Sequence, residues 1–327
     1  MSEGQEVSKW VDKAMFEAAP VSNTPRVHLL YANQDPLGSI AAASMMYAGE
    51  PVTDLHAITD EQRRYYWAEV QKTHLKTPLE FVNLHFMIEG VTRGFTHQLV
   101  RQRTASYAQE SLRFAVKTHL ADEVQTPPSY EGDDPDGPLR RKVWREGIEA
   151  AEAAYHRAIQ AGMPAEDARG LLPHATTTRV HYATDLRGLM DHAGNRLCTQ
   201  AQFEWKIVFA GIMRAIKGYA GFLADQYSIR EERQWQPIEG YVAGPGDDEA
   251  VLGVPTRLAS DANGRSTMWQ WKLIAEEFRP VCFQLGHCPF MSDIDRGCTI
   301  RPRVQEGRFD EIDPSEWLAD PQAGFLR

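Results

Sequence analysis

From residue 81 the chain alternates: Val82, Leu84, Phe86 and Ile88 fall on one side, Asn83 and His85 on the other. That is the period of a half-buried strand, entered here through Thr77-Pro78. Residues 92–103 switch to helical spacing, with Phe95 and Leu99 four apart, before the polar stretch Ser106–Ser111, which predicts a loop. Thr126–Pro138, crowded with Pro, Gly and Asp, predicts an exposed excursion, and beyond it Trp144, Ile148, Ala151, Tyr155 and Ile159 form one helical stripe that stops by Gly162. Pro164 and Pro173 bracket a short helix carrying Arg169, and Thr176, Thr178, Val180 and Tyr182 alternate as a second strand. Two helices follow. One runs from about Asp185 to Ala193; the other starts at Thr199, where Thr199 and Gln202 match a capping box, and turns Trp205, Val208, Phe209, Ile212 and Ile216 inward. Asn195 and Arg196 fall in the connection between them. Gly244-Pro245-Gly246-Asp247-Asp248-Glu249 predicts a linker, and residues 250–327 read as an appended segment with one helix near 267–278. Strands and helices in this order, without a βαβ repeat, predict an α+β fold.

The 327 residues, 43% of them hydrophobic, suffice for a full core. Thirty-five basic against 45 acidic residues give a net charge of −10, which argues against nucleic acid as a partner and leaves room for a small-anion site. No apolar run reaches the roughly 20 residues that span a bilayer. Met1–Lys13 is polar where a secretory leader is apolar, so the expectation is a cytoplasmic protein with no membrane partner. Four cysteines, at 198, 282, 288 and 298, are too few and too uneven for a disulfide framework. Cys282, His287, Cys288 and Cys298 lack a Cys-x-x-Cys knuckle, so buried thiols are expected in preference to zinc, and no metal is assigned. Gly-x-Gly-x-x-Gly, the P-loop and His-Glu-x-x-His are all absent. A cofactor would have to bind without a glycine-rich turn.

The densest polar chemistry is Gln98, Arg101, Gln102, Arg103, Ser106, Gln109, Ser111 and Arg113, guanidinium forks mixed with hydroxyl and amide groups that suit a phosphate or a polarised carbonyl. On a helix Arg101 and Arg103 point about 200° apart, while Gln98 and Arg101 are neighbours. Ser111 and Arg113 would share one side if that stretch is extended. The plain alternative for the run is a solvated face paired with the acidic excess.

The string from Gln98 to Phe114 resembles the signature of the flavin-dependent thymidylate synthases, the ThyX family: Arg-His-Arg, then Ser, then Ser-x-Arg. Asp185-Leu186-Arg187-Gly188-Leu189-Met190, Asn195-Arg196 and Gln200-Ala201-Gln202-Phe203-Glu204 line up without a gap on the family's second block. Thr77-Pro78-Leu79-Glu80 resembles its Thr-Pro-Phe-Glu, and Arg169-Gly170-Leu171-Leu172-Pro173 its Arg-x-x-Leu-Pro. The likeness spans about residues 39–225, so the chain divides into an N-terminal segment 1–38, a ThyX-like flavin and nucleotide domain 39–239, and a C-terminal extension 240–327.

The resemblance implies a central, mostly antiparallel sheet flanked by helices, and a homotetramer with active sites shared between subunits. It implies extended FAD, NADPH as reductant, methylene-tetrahydrofolate as carbon donor, and C5 of a uridine nucleotide as acceptor, with no enzyme cysteine needed. Arg196 matches the family's residue for charge developing on the uracil ring, a task for a fixed guanidinium in a dry site; Ser111 and Arg101 match further catalytic positions. Gln98, Arg101, Gln109, Ser111, Arg113, Arg169 and Arg196 match nucleotide contacts. Thr77, Glu80, Arg101, Arg103, Thr104, Asp185, Arg187, Asp191 and Gln200 match flavin contacts. For Arg187 an ion pair with Asp191 is the plain alternative, and for Arg169 a helix C-terminal charge. Departures cluster on the flavin side: Gln102, Leu75 and Gln200 stand where His is usual, and Asp185 and Asp191 where Asn is usual. Ala108 replaces an Asn beside the nucleotide sugar and Phe114 a Tyr, which makes both dUMP and UMP candidate substrates. A non-catalytic flavin- or nucleotide-binding relative and a uridylate hydroxymethylase stay open as alternatives.

Overall fold

The alternation that begins at Val82 becomes the long central strand of a four-stranded antiparallel sheet. The computed structural model describes residues 16–17, 21, 23–216, 268–289, 298–313 and 316. Its strands are β1 (Phe16–Glu17), β2 (Arg26–Ala32), β3 (Asn83–Thr92), β4 (Ala105–Gln109), β5 (Ala115–Val116) and β6 (Thr177–Asp185). The main sheet has the order β2-β3-β6-β4, and β1 and β5 form a separate two-residue parallel pair. Phe86 of β3 lies opposite Tyr182 of β6, which lies opposite Tyr107 of β4, so three rings stack across the sheet with centroids 6.1 and 5.6 Å apart. At Gly90 the register shifts: φ is +73° and a Cβ would stand 2.0 Å from the Thr24 carbonyl oxygen, so only glycine makes this bulge.

The core lies on one face of the sheet. Val27, Leu84, Phe86, Ile88, Val180 and Tyr182 pack against α6 (Leu186–Arg196) and α7 (Phe203–Ile216), whose Trp205, Val208, Phe209, Ile212 and Ile216 are all buried as the periodicity predicts. The other face carries His85, Glu89, Arg179 and His181, and the two imidazoles meet at 3.1 Å. Helices α1 (Pro36–Tyr47) and α2 (Asp60–Lys72) are joined by a buried Arg63–Asp35 ion pair at 2.5 Å. Helix α3 (Arg93–Leu99) follows β3 directly, and α4 (Gly137–Gln160) and the single turn α5 (Ala165–Ala168) build a second layer around Leu120, Val124, Ile148 and Tyr155.

Three local expectations are corrected. Ser106–Gln109 forms part of strand β4 rather than a loop: Ser106 and Ala108 are exposed on an edge strand's open face, while Tyr107 packs on the core and Gln109 shares its side. Arg196 is the last residue of α6 instead of lying in the connection, and α7 begins at Phe203, so the Thr199–Gln202 capping box does not form. The capping box that does form is Thr59–Gln62 at the start of α2.

C-terminal to the sheet and its helices, α8 (Met268–Glu276) lies where the spacing predicts a helix, and two short ones follow it, α9 (Val281–Leu285) and α10 (Arg301–Gln305). Trp271, Ile274, Phe278, Ile300 and Val304 belong to the same buried cluster as the sheet, and Gln270 accepts the Leu37 amide at 2.8 Å. The proposed linker at 244–249 lies outside the described residues. Among those described, no helix is long and apolar enough to cross a membrane.

Candidate active site

Two donor-only groups converge on one amide oxygen at the inner end of α3. Gln98, next to last in that helix, accepts from Arg196 Nη1 at 3.2 Å and from Trp205 Nε1 at 2.9 Å. The Arg196 guanidinium also sits over the Trp205 ring, 4.7 Å from its centroid. Burial lowers the Arg196 pKa from its ordinary value, and a guanidinium stays charged in any protein setting. Its Nε is buried with no hydrogen-bond partner among the described residues, a donor left open beside an anchored cation. Trp205 is wedged between Phe95, 4.2 Å away, and His192, 4.7 Å away. Neither ring nitrogen of His192 has a hydrogen-bond partner among the described residues; burial first, then Arg196, push its pKa down to about 3 and keep it neutral.

Beneath this lies a residue that the sequence reading did not single out. Glu204 is fully buried, accepts the Thr92 amide at 2.8 Å and the Thr92 hydroxyl at 2.7 Å, and receives the Gln202 amide at 2.6 Å. Burial pushes its carboxyl up to about 7, against the lowering effect of the Thr92 hydrogen bonds. Thr92 also caps α3 by accepting from Phe95 N.

The other nucleotide-type positions gather at the surface. Arg113 Nε pairs with Glu166 at 2.5 Å, and Arg169 Nε donates to the Glu166 carbonyl at 3.0 Å, which brings the two arginines together. Arg93, absent from the sequence candidates, joins them: it donates to the Glu110 carbonyl at 3.1 Å, its pKa is lowered chiefly by burial, and Arg169 acts on it in the same sense. Ser111 and Arg113 are not extended; the backbone turns, with Phe114 N donating to Ser111 O, and Ser111 Oγ accepts from Arg113 N at 3.3 Å. Gln109 points the other way, donating to Thr96 Oγ1 at 2.9 Å.

The flavin-type positions form a third group. Arg103, Thr104 and Asp185 line an open polar groove of about 430 Å³ with Tyr31, Asn83, His85 and Ser106. Asp185 caps α6 through Gly188 N at 2.7 Å. Gln102, at the signature's histidine position, donates to the Gly188 carbonyl and accepts from Tyr182 OH at 2.7 Å, so it ties the turn before β4 to α6 and the sheet. A side chain at 188 would press within 2.9 Å of Thr104 Oγ1 and 3.0 Å of Gln102 Nε2, and glycine permits that approach. Arg187 pairs with Glu80 at 2.5 Å, joining two flavin-type residues in place of the i,i+4 pair with Asp191. Burial raises the Asp191 carboxyl. Thr77 opens the short turn 77–81, Arg101 lies exposed just after α3, and Gln200 sits in the connection to α7. Among the described residues, no hydrogen bond links Arg196 to Ser111, Arg113 or Arg169.

The four cysteines, 100 residues apart at the extremes, line one small apolar cavity of about 20 Å³. Burial raises Cys198 and Cys282, the latter to about 11. No group of three His, Cys, Asp or Glu side chains among the described residues is set to hold a metal ion.

The model for the family described as thymidylate synthase complementing protein matches residues 28–220, more than half of the chain. The chain belongs to that family. Among its curated relatives, the flavin-dependent thymidylate synthase of Geobacter sulfurreducens is 32% identical over 197 residues, covering 60% of this chain and 83% of the relative. The one from Pyrococcus abyssi is 31% identical over 282 residues, covering 85% and 95%, and the one from Thermococcus onnurineus 38% over 233 residues, covering 69% and 72%. A looser structural likeness, to a UMP/dUMP methylase, PolB, from Streptomyces cacaoi bound with 5-Br dUMP, has a TM-score of 0.44 at 21% identity, over 54% of this chain and 80% of that one, and adds nothing to the assignment. The protein is therefore an enzyme of the flavin-dependent thymidylate synthase type, and the sheet with helices packed on it is the α+β architecture that the resemblance implies.

Proposed function

We propose that this enzyme methylates C5 of a uridylate, with methylene-tetrahydrofolate as carbon donor, NADPH as reductant and FAD as the bound cofactor. The observation that carries the reading is the anchored Arg196 with its open, buried Nε. C5 becomes nucleophilic only as negative charge grows on the ring carbonyls, and donors already fixed in a dry site stabilise that charge without reorganising. Ser111, Arg113 and Arg169, joined by Arg93, hold the nucleotide phosphate. Glu166 now occupies Arg113, and a dianionic phosphate competes for the same fork on better geometric terms. The residues present fit a flavin: Arg103, Thr104 and Asp185 offer a polar groove with no need of a glycine-rich turn, and Glu80–Arg187 flanks it. When bound, that cofactor supplies the carbon and hydride transfer that no side chain here provides.

Because the interior, rim and groove groups are separate within one chain, we read each active site as completed by a second subunit, in a homotetramer. Ala108, exposed on β4 opposite His181, leaves space for a ribose 2′-hydroxyl, so UMP is accepted as well as dUMP. Incubating the enzyme with FAD, NADPH and isotopically labelled methylene-tetrahydrofolate, with dUMP or UMP in turn, should yield 5-methyl products of both by mass spectrometry. Deoxy-only turnover removes the UMP assignment, and a hydroxymethyl product or none overturns the reaction.

A further inference from the structure

The hydrogen bonds around Arg196 have a direction that can be traced from end to end. Arg196 and Trp205 Nε1 can only donate, so both require the oxygen of Gln98 to face them. With that oxygen fixed, Gln98 Nε2 must donate, and it does so to Gln202 Oε1. Gln202 Nε2 must then donate in turn, and it meets Glu204 Oε2 at 2.6 Å. The chain ends on a carboxylate that accepts from everything around it, the Thr92 amide included. An amide is indifferent to which way round it sits until its neighbours choose, and here an acceptor-only group at one end and donor-only groups at the other choose together.

We propose that Glu204 is the positioning residue for Arg196, holding the guanidinium in place through the Gln202 and Gln98 amides rather than by contact. This rests on the reading of Arg196 as the group facing the uracil ring. Burial and the Thr92 hydrogen bonds set the state of Glu204, and no charged side chain acts on it. The charged or titratable groups facing the chain's far end are Arg196 itself and His192, both on α6, and His192 is neutral. The Thr92 amide needs Oε1 as an acceptor, so a proton taken up by Glu204 goes to Oε2, where it opposes Gln202 Nε2 and weakens the chain as the carboxyl titrates near pH 7.

Glu204→Gln keeps the shape and reverses the polarity. Its amide nitrogen meets Gln202 Nε2, Gln202 turns over, Gln98 follows, and Arg196 and Trp205 then face a donor. We expect kcat to fall by about ten- to a hundredfold, with nucleotide Kd and flavin content unchanged, since one preorganised donor to the ring is displaced. The double variant Glu204→Gln with Gln202→Glu restores an acceptor for Gln98 and should recover most of the loss. A structural role for Glu204 predicts no such rescue. The indole ¹⁵N–H resonance of Trp205, assigned with Trp205→Phe, reads the same chain without any turnover. It should titrate near pH 7 in the wild type, move upfield and stop titrating in Glu204→Gln, and return in the double variant. An indole signal that ignores Glu204→Gln overturns the proposal whatever the reaction is. A signal that responds while kcat stays within twofold shows the chain to be present but not positioning Arg196, and also overturns it. Should the uridylate reading itself fail, the indole result still decides whether the chain exists.

Discussion

Arg196 is held by an amide and an indole inside the protein, whereas Arg113 is held by a carboxylate at its surface. The difference decides what each can do. An arginine oriented by neutral groups keeps its full charge for a ligand, and its surroundings cannot relax around it. An arginine paired with a surface carboxylate has a replaceable partner and costs little to release, because exposed ion pairs contribute at most about 1 kcal/mol. In the proposed site, one end is thus fixed in advance of the substrate, and the other is assembled by the substrate's own charge.

The comparison can be broken in four ways. The largest effect belongs to the interior wedge: Trp205→Ala should cost about 3–5 kcal/mol in denaturant unfolding, since the ring is fully enclosed between Phe95 and His192. A loss near zero would mean that the interior is as adaptable as the rim. Next, Arg196→Gln should lower kcat by about a hundred- to a thousandfold while nucleotide affinity changes little; loss of affinity in place of rate would make it another phosphate clamp. Third, Arg113→Ala should weaken nucleotide binding about tenfold, with unfolding free energy within about 0.5 kcal/mol of wild type, and raising salt should erode the wild-type affinity in the same direction. Equilibrium dialysis at two ionic strengths checks both.

The smallest effect is in pH dependence. The folded pKa of His192, about 3, lies below its ordinary 6.5. Below pH 6.5 the unfolded chain therefore takes up a proton that the fold refuses, so this contribution is whole above 6.5 and lost as the pH falls toward 3. Glu204 runs the other way: its folded pKa, about 7, lies above the ordinary 4.5, so stability is lost as the pH rises from 4.5 through 7. His192→Phe removes only the first slope. Its stability relative to wild type should rise by about 1 kcal/mol between pH 6.5 and 5.5 in urea titrations. No change would mean that the imidazole finds water or a charge partner in solution.

How much of this was legible beforehand follows from where each interaction lives. The strand from Asn83 and the inward stripe of α7 are local periodicities, and both appear in place. The polar stretch of β4 is ambiguous by itself, because an edge strand with one open face carries the same residues as a loop. Arg196 and the rim positions were identified by likeness to a family, residue by residue, and no periodicity reveals them. Thr92 and Glu204, 112 residues apart, touch and Arg93 comes within electrostatic reach of Arg169 only after the sheet has formed, so neither spacing nor composition could pair them. Glu204 did stand in the quoted block, three residues after Ala201, but nothing local distinguishes an enclosed carboxylate from a solvated one.

Trp271, Ile274 and Phe278 fill the same interior as the sheet, and Gln270 fastens to the start of α1. During synthesis, then, the part of the chain that carries the sheet leaves the ribosome with a gap in its apolar centre that the helices made after residue 268 close. A nascent chain halted before residue 268 should remain open to protease, and one released beyond residue 304 should resist it, so these helices time the moment at which the interior under the sheet closes.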